Sequence, residues 1–171
     1  ESLNFIKSPL VLGSSFISLE FLEIFFLNQI QSKLIVKDPY FFNRIVEGQG
    51  GQLLEKNFKK HGIKPFYQTS VTKIERSETL IVTTSDLKKA NHDAIGVGIG
   101  LERNIDFLMG SDINLGETGV LTDEFLETNQ KGIFAAGDIA EFHDIIFDKA
   151  RIIGNWNNAF LQGKIAGLNM V

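Results

Sequence analysis

The chain has 171 residues, 43% of them hydrophobic, and 17 Lys+Arg against 21 Asp+Glu give a formal net charge of −4. That length holds one ordinary domain or one and a half small ones, and that apolar content supports a full core. Slight acidity without a basic block argues against a nucleic-acid partner, and zero cysteines exclude a disulfide framework, a thiolate metal site and a redox-active Cys pair within the chain.

No apolar run approaches a membrane span and no signal peptide is visible, so a membrane partner is not expected. The composition is compatible with a reducing compartment, and a cytoplasmic location is expected. The chain does not begin with Met, which is expected of an excised fragment or of a chain whose start was not retained.

Residues 8–13 (SPLVLG) predict a short buried strand. Residues 14–30 predict a helix with apolar side chains almost all round, Glu20 and Glu23 being its main charges, so it is expected to be largely buried. Residues 33–36 (KLIV) predict a second strand. Strand, turn, helix and strand within about 30 residues form the βαβ unit of a dinucleotide-binding fold.

The turn after the first strand carries Gly13, Ser15 and Ser18 at G-x-G-x-x-G spacing, so only the first glycine is present. The helix that follows still offers free N–H groups and a dipole to an anion. The second strand leads into Lys37-Asp38-Pro39. Asp38 sits where an acid binds the adenine ribose 2′-OH, Lys37 could instead favour a 2′-phosphate, and a plain Asp-Pro turn explains the pair as well.

Residues 40–62 carry Ile45, Leu53, Leu54 and Phe58 in helical rhythm, with basic residues before Gly62. Residues 70–75 and 79–84 predict antiparallel strands joined at Arg76-Ser77-Glu78. Residues 93–100 (DAIGVGIG) predict another buried strand, and Gly98 and Gly100 end it in a turn.

Residues 132–141 read GIFAAGDIAE. The run 133–136 predicts a buried parallel strand that ends in Gly137-Asp138. Gly137 would let a ligand approach the backbone and Asp138 would offer a carboxylate to hydroxyls, or Asp138 simply caps the next segment. Residues 155–170 predict a helix with Trp156, Ala159, Phe160, Gly163 and Ala166 on one face. His61, His92 and His143 show no metal-like spacing, and His143 reads as an ordinary loop histidine. No metal site is expected.

Together these stretches resemble the pyridine nucleotide–disulfide oxidoreductase superfamily, whose members bind FAD and NAD(P)H. TNQKGIFAAGDIA, from Thr128 to Ala140, matches that family's T-x(n)-[IV]-[FY]-A-x-G-D motif in full. Phe16-Ile17-Ser18-Leu19-Glu20 resembles its F-I-G-L-E, KKHGIKPF its helix end, and DAIGVGIG its D-x-[VI]-[VI]-x-[AG]-x-G. Arg103 stands where the following G-x-x-P-N has its proline. The final helix, NWNNAFLQGKIAGLNM, resembles that of the branch with rubredoxin reductases, ferredoxin reductases and the NADH-dependent nitrite reductase large subunit.

The resemblance implies an α/β fold: a Rossmann-like parallel sheet with a small antiparallel layer over residues 1–117, then part of an FAD-binding domain over 118–171. It implies a nicotinamide site at Gly13, Ser15, Phe16, Ile17, Glu20 and Asp38, with Gly98 and Gly100 opposite. It places flavin at Gly137, Asp138 and Trp156. Glu20 could equally be a solvated helix carboxylate, Gly98 and Gly100 a plain turn, and Trp156 a core anchor.

The implied function is an NAD(P)H-dependent flavoprotein oxidoreductase, or a piece of one. It would pass hydride from nicotinamide to FAD, then electrons to an acceptor protein. No catalytic side chain is named, because hydride transfer requires none. The family's first FAD-binding βαβ unit and its interface domain have no counterpart in these residues. FAD retention by this chain alone is therefore not expected, and self-association or a partner segment is. The rival expectation is a degenerate, non-catalytic nucleotide-binding or protein-interaction module.

Overall fold

The structure, a computed structural model, describes residues 2–171. The chain divides into two compact units, Glu1–Gly100 and Leu101–Val171.

The first unit is built on a four-stranded parallel sheet in the order β3-β2-β1-β7. Its strands are β1 (Pro9–Leu12), β2 (Ser32–Ile35), β3 (Ile63–Phe66) and β7 (Ala94–Val97). Helices α1 (Phe16–Leu27) and α2 (Gly48–Lys60) provide the crossovers from β1 to β2 and from β2 to β3. Pro65 cannot donate to a ladder, and its strand lies at the sheet edge, where that donor is not needed.

Alternation along the strands sends side chains to two different cores. Val11, Leu34 and Val36 join Leu22, Phe25, Phe41 and Phe58 on the helix side. Leu10, Leu12 and Ile35 meet Val82 on the other side. There a three-stranded antiparallel layer of β4 (Val71–Arg76), β5 (Leu80–Thr84) and β6 (Lys89–His92) covers the sheet. The predicted hairpin is present, and β6 adds a strand that the sequence analysis left unread.

Two expectations for this unit are corrected. Helix α1 is not largely buried. Only Ser18, Leu22 and Phe25 are, whereas Phe16, Ile17, Ile24, Phe26 and Leu27 are exposed. A helix apolar on every side carries no periodic mark of its inner face, and the sheet contacts one face only. The helical rhythm over 40–62 begins as a helix only at Gly48, because residues 41–46 fold into turns around Phe42, at φ 60°.

The second unit pairs β8 (Val120–Thr122) parallel with β9 (Ala140–Asp144), which pairs antiparallel with β10 (Lys149–Arg151). Helix α3 (Trp156–Asn169) packs Ala166 against Leu126 and Ala140. Its N-cap Asn155 accepts from the Asn158 N–H at 2.8 Å.

Residues 133–136 are not a parallel strand. They make a single antiparallel bridge between Phe134 and Glu127, and Ala135 N donates to Leu126 O at 3.0 Å. Gly132 and Gly137, at φ 80° and 81°, bracket the run and leave it too short for a ladder, so the strand forms after Asp138 as β9. The predicted helix is present, and the face that carries Trp156, Ala159, Phe160, Gly163 and Ala166 is not its buried side as a whole. Its buried residues are Gln162 and Ala166, while Trp156 is 79% exposed and Phe160 62%.

Candidate functional site

The candidate residues fall into two places, one in each unit. In the first, β1 ends at a turn whose geometry only glycine meets. Gly13 has φ 104°, and a Cβ there would lie 2.2 Å from the Gly98 carbonyl oxygen. The turn delivers Ser15 to the N-cap of α1, where its Oγ accepts from the Ser18 N–H at 3.2 Å. The N–H groups of Phe16 and Ile17, in the first turn of the helix, have no intrahelical acceptor.

Ser18 stands at the third glycine position and is fully buried. Its Oγ lies 3.2 Å from Leu12 O and 3.1 Å from Gly98 O, so its single proton is shared between carbonyls of β1 and of the turn after β7. A Cβ on Gly98 would come within 2.3 Å of that Oγ. Gly98 thus supplies the space that the serine takes up.

This turn opens into a cavity of about 680 Å³ at the carboxyl ends of β1, β2 and β7. Crevices outside strand ends are where open α/β sheets bind ligands. Of the predicted residues, Gly13, Ser15, Phe16, Asp38, Gly98 and Gly100 line it. Ile17 and Glu20 do not; both are exposed on α1. Gly100 has φ 111° and open space at its missing Cβ, so backbone conformation alone calls for glycine there.

The cavity wall also holds residues that sequence reasoning missed. Asn43, Arg44 and Ile45 reach it because the segment after β2 folds back. Ser14 Oγ accepts from Phe42 N at 2.6 Å, Phe42 O accepts from Ile45 N and Val46 N, and the Phe16 and Phe42 rings pack at 4.9 Å. A turn held by a distant serine leaves no local signal in the sequence.

In the second unit, Gly137–Ile139 forms a 3₁₀ turn. Gln162 Oε1, buried on α3, accepts from Gly137 N at 2.8 Å, and Arg103 Nε donates to Asp138 O at 2.8 Å. The turn is therefore held at both ends, while the exposed Asp138 carboxylate takes no hydrogen bond among the described residues. Trp156 opens α3 and stacks on Phe160 with centroids 5.9 Å apart and planes 13° from parallel, so it is no core anchor. His143 lies in β9 and pairs with Asp148 at 3.3 Å on the surface. No cluster able to hold a metal occurs among the described residues.

A βαβ unit with a glycine turn at the helix N-terminus, a crevice at the strand ends and an antiparallel covering layer is the architecture of the dinucleotide-binding fold. The chain belongs to the pyridine nucleotide-disulphide oxidoreductase family, whose model matches residues 1–163. It is 25% identical to the CoA-dependent NAD(P)H sulfur oxidoreductase of Pyrococcus abyssi, over 98% of this chain and 37% of the relative. The fold matches the water-forming NADH oxidase of Lactobacillus brevis bound to NADH, with a TM-score of 0.88 and 24% identity over 99% of this chain and 38% of that one. An engineered variant of that oxidase, bound to NADPH, matches with a TM-score of 0.88 and 25% identity over 98% and 37%. Its substitutions remove one aspartate and introduce two arginines. The chain spans between a third and two-fifths of the length of these relatives.

Proposed function

We propose that this chain is the nicotinamide-nucleotide part, with a flavin-side segment, of an NAD(P)H-dependent flavoprotein oxidoreductase. The observation that carries the reading is the cavity at the carboxyl ends of β1, β2 and β7, closed by the Gly13 turn and open to the N-terminus of α1. The nucleotide fits there: Gly13 and Gly98 keep the turn tight, and the Phe16 and Ile17 N–H groups are free to bind a pyrophosphate. Ser15 adds a side chain at that point, but its hydroxyl is turned to Ser18 N and caps the helix. We assign residues 1–117 to the nucleotide-binding part and 118–171 to the flavin side.

On the flavin side, Asp138 offers an unengaged carboxylate to a sugar-like hydroxyl, and Arg103 and Gln162 hold its turn in place. Trp156 is free to cover a planar ring. Both cofactors, when bound, would supply the hydride-transfer chemistry, and the protein would hold and orient them. An electron-acceptor protein is the expected onward partner, and a cytoplasmic setting suits the absence of cysteine. The apolar side chains exposed on α3 call for a second copy or a further segment to cover them.

The test is a visible spectrum of the purified chain after FAD addition and desalting, before and after NADH or NADPH. Retained flavin bands that bleach with nucleotide support a working reductase. Nucleotide binding by calorimetry without retained flavin supports the nucleotide-domain assignment alone. Absence of both leaves a non-catalytic module, the reading favoured by the two serines in the glycine fingerprint.

A further inference from the structure

We infer that the cavity selects the 2′-phosphorylated nucleotide, NADPH over NADH. The inference rests on the cavity being a nucleotide site. Its ground is the charge that lines the cavity, two of whose three charged groups, Lys37 and Asp38, stand just past β2, where the adenosine ribose of a dinucleotide lies.

Lys37 and Asp38 come just after Val36 at the end of β2, and the turns over residues 41–46 bring Arg44 into the lining of the same cavity. Two cations and one carboxylate therefore line the cavity, an excess of one positive charge. Among the described residues none of the three is engaged in an ion pair, and Lys37 and Arg44 are exposed. Both cationic side chains can therefore turn to a ligand without breaking an existing contact.

A ribose 2′-OH would take one hydrogen bond to Asp38 and gain nothing from the two cations. A 2′-phosphate brings close to two negative charges and three acceptor oxygens. Arg44 matches them with a planar fork and Lys37 with a point charge. Asp38 repels the phosphate, but it is one charge against two. Asn43, in the same lining, adds a neutral donor. The 2′-OH bond to Asp38 is itself charge-assisted, so the preference comes from the additional charge-assisted bond that the phosphate gains from two cations, about tenfold.

The experiment is calorimetric titration of the 171-residue chain with NADPH, NADH, 2′,5′-ADP and 5′-AMP. The expected result is about tenfold tighter binding of NADPH than NADH at low ionic strength, with 2′,5′-ADP above 5′-AMP by a similar factor. The ratio should shrink in high salt, because the cations are solvent-exposed. Arg44→Ala and Lys37→Ala should each bring the NADPH/NADH ratio toward one, and circular dichroism of these surface variants checks that the fold is kept. Asp38→Asn should raise the ratio.

Equal or tighter binding of NADH, or a ratio untouched by Arg44→Ala and Lys37→Ala, overturns the selectivity while leaving the nucleotide site standing. Binding of none of the four ligands overturns the site itself and the selectivity with it.

Discussion

Ser18 and Gly98 form one packing unit across the β1 turn. The serine hydroxyl occupies the volume that a Cβ on residue 98 would need, and it bonds the Gly98 carbonyl. Gly98→Ala would bring its methyl against Ser18 Oγ, Ser15 Oγ and the Ser18 backbone nitrogen at 2.3–2.7 Å. Overpacking of this kind costs about 1–3 kcal/mol, which urea denaturation would measure. Adding Ser18→Gly should recover only part of the loss, because the backbone nitrogen stays in the way.

His92 gives a second prediction at this scale. Its ring is buried, and Nδ1 donates to Ser8 O at 3.0 Å. Burial holds the imidazole below its ordinary value, the bond to Ser8 and the Asp93 charge oppose this, and Lys33 adds to it. The folded chain therefore binds this proton less readily than the unfolded chain. The stability contributed by the neutral ring is complete above a pH of about 6.5 and is lost as pH falls below that. Unfolding midpoints between pH 5 and 7 should decline toward acid, and His92→Gln, which cannot titrate, should flatten that decline.

Among the elements, α3 does the most to shape a site through a single contact. Gln162 projects from the buried face of the helix to the Gly137 N–H, and Gly137 leads directly into Asp138. Gln162→Ala would leave a buried donor unpaired, at a cost of about 1–3 kcal/mol. Thermal unfolding should report that loss, and hydrogen exchange at Gly137 should accelerate by more than at Val120 in β8. Equal acceleration at both would mean that Gln162 supports the unit in general and does not specifically hold the turn. Helix α1 works differently. Leu22 and Phe25 anchor it to the sheet, each burial being worth about 1.5–3 kcal/mol, while Ser15 sets where it begins.

Taken whole, the molecule exposes more large apolar side chains than two small units need to leave uncovered. Trp156, Phe160, Leu161 and Leu168 lie along α3, and Ile145, Ile146 and Phe147 form the tip between β9 and β10. Exposed large apolar side chains grouped along an element in this way mark association surfaces. Sedimentation velocity over a range of concentrations should show self-association of the chain, and Trp156→Ser with Phe160→Ser should weaken it. Concentration-independent monomers would show that these side chains tolerate water on their own.

The sequence by itself determined the elements whose signals are local. The β1–α1–β2 unit follows from a strand, one obligatory glycine and a long apolar run after it. The hairpin of β4 and β5 follows from β-branched alternation, and α3 from its helical period. The Gly137-Asp138 turn was legible because the motif from Thr128 to Ala140 contains it, and Gly137 takes a positive φ there. Only the tertiary structure decided which face of α1 is buried, since a helix apolar all round is compatible with any face. It also moved the strand from 133–136 to β9, because a ladder needs a partner and residues 133–136 find only one bridging residue. Arg44 reached the cavity in the same way, through a turn held by Ser14, 28 residues before its partner Phe42. Such contacts join residues far apart in the chain, and no local pattern records them.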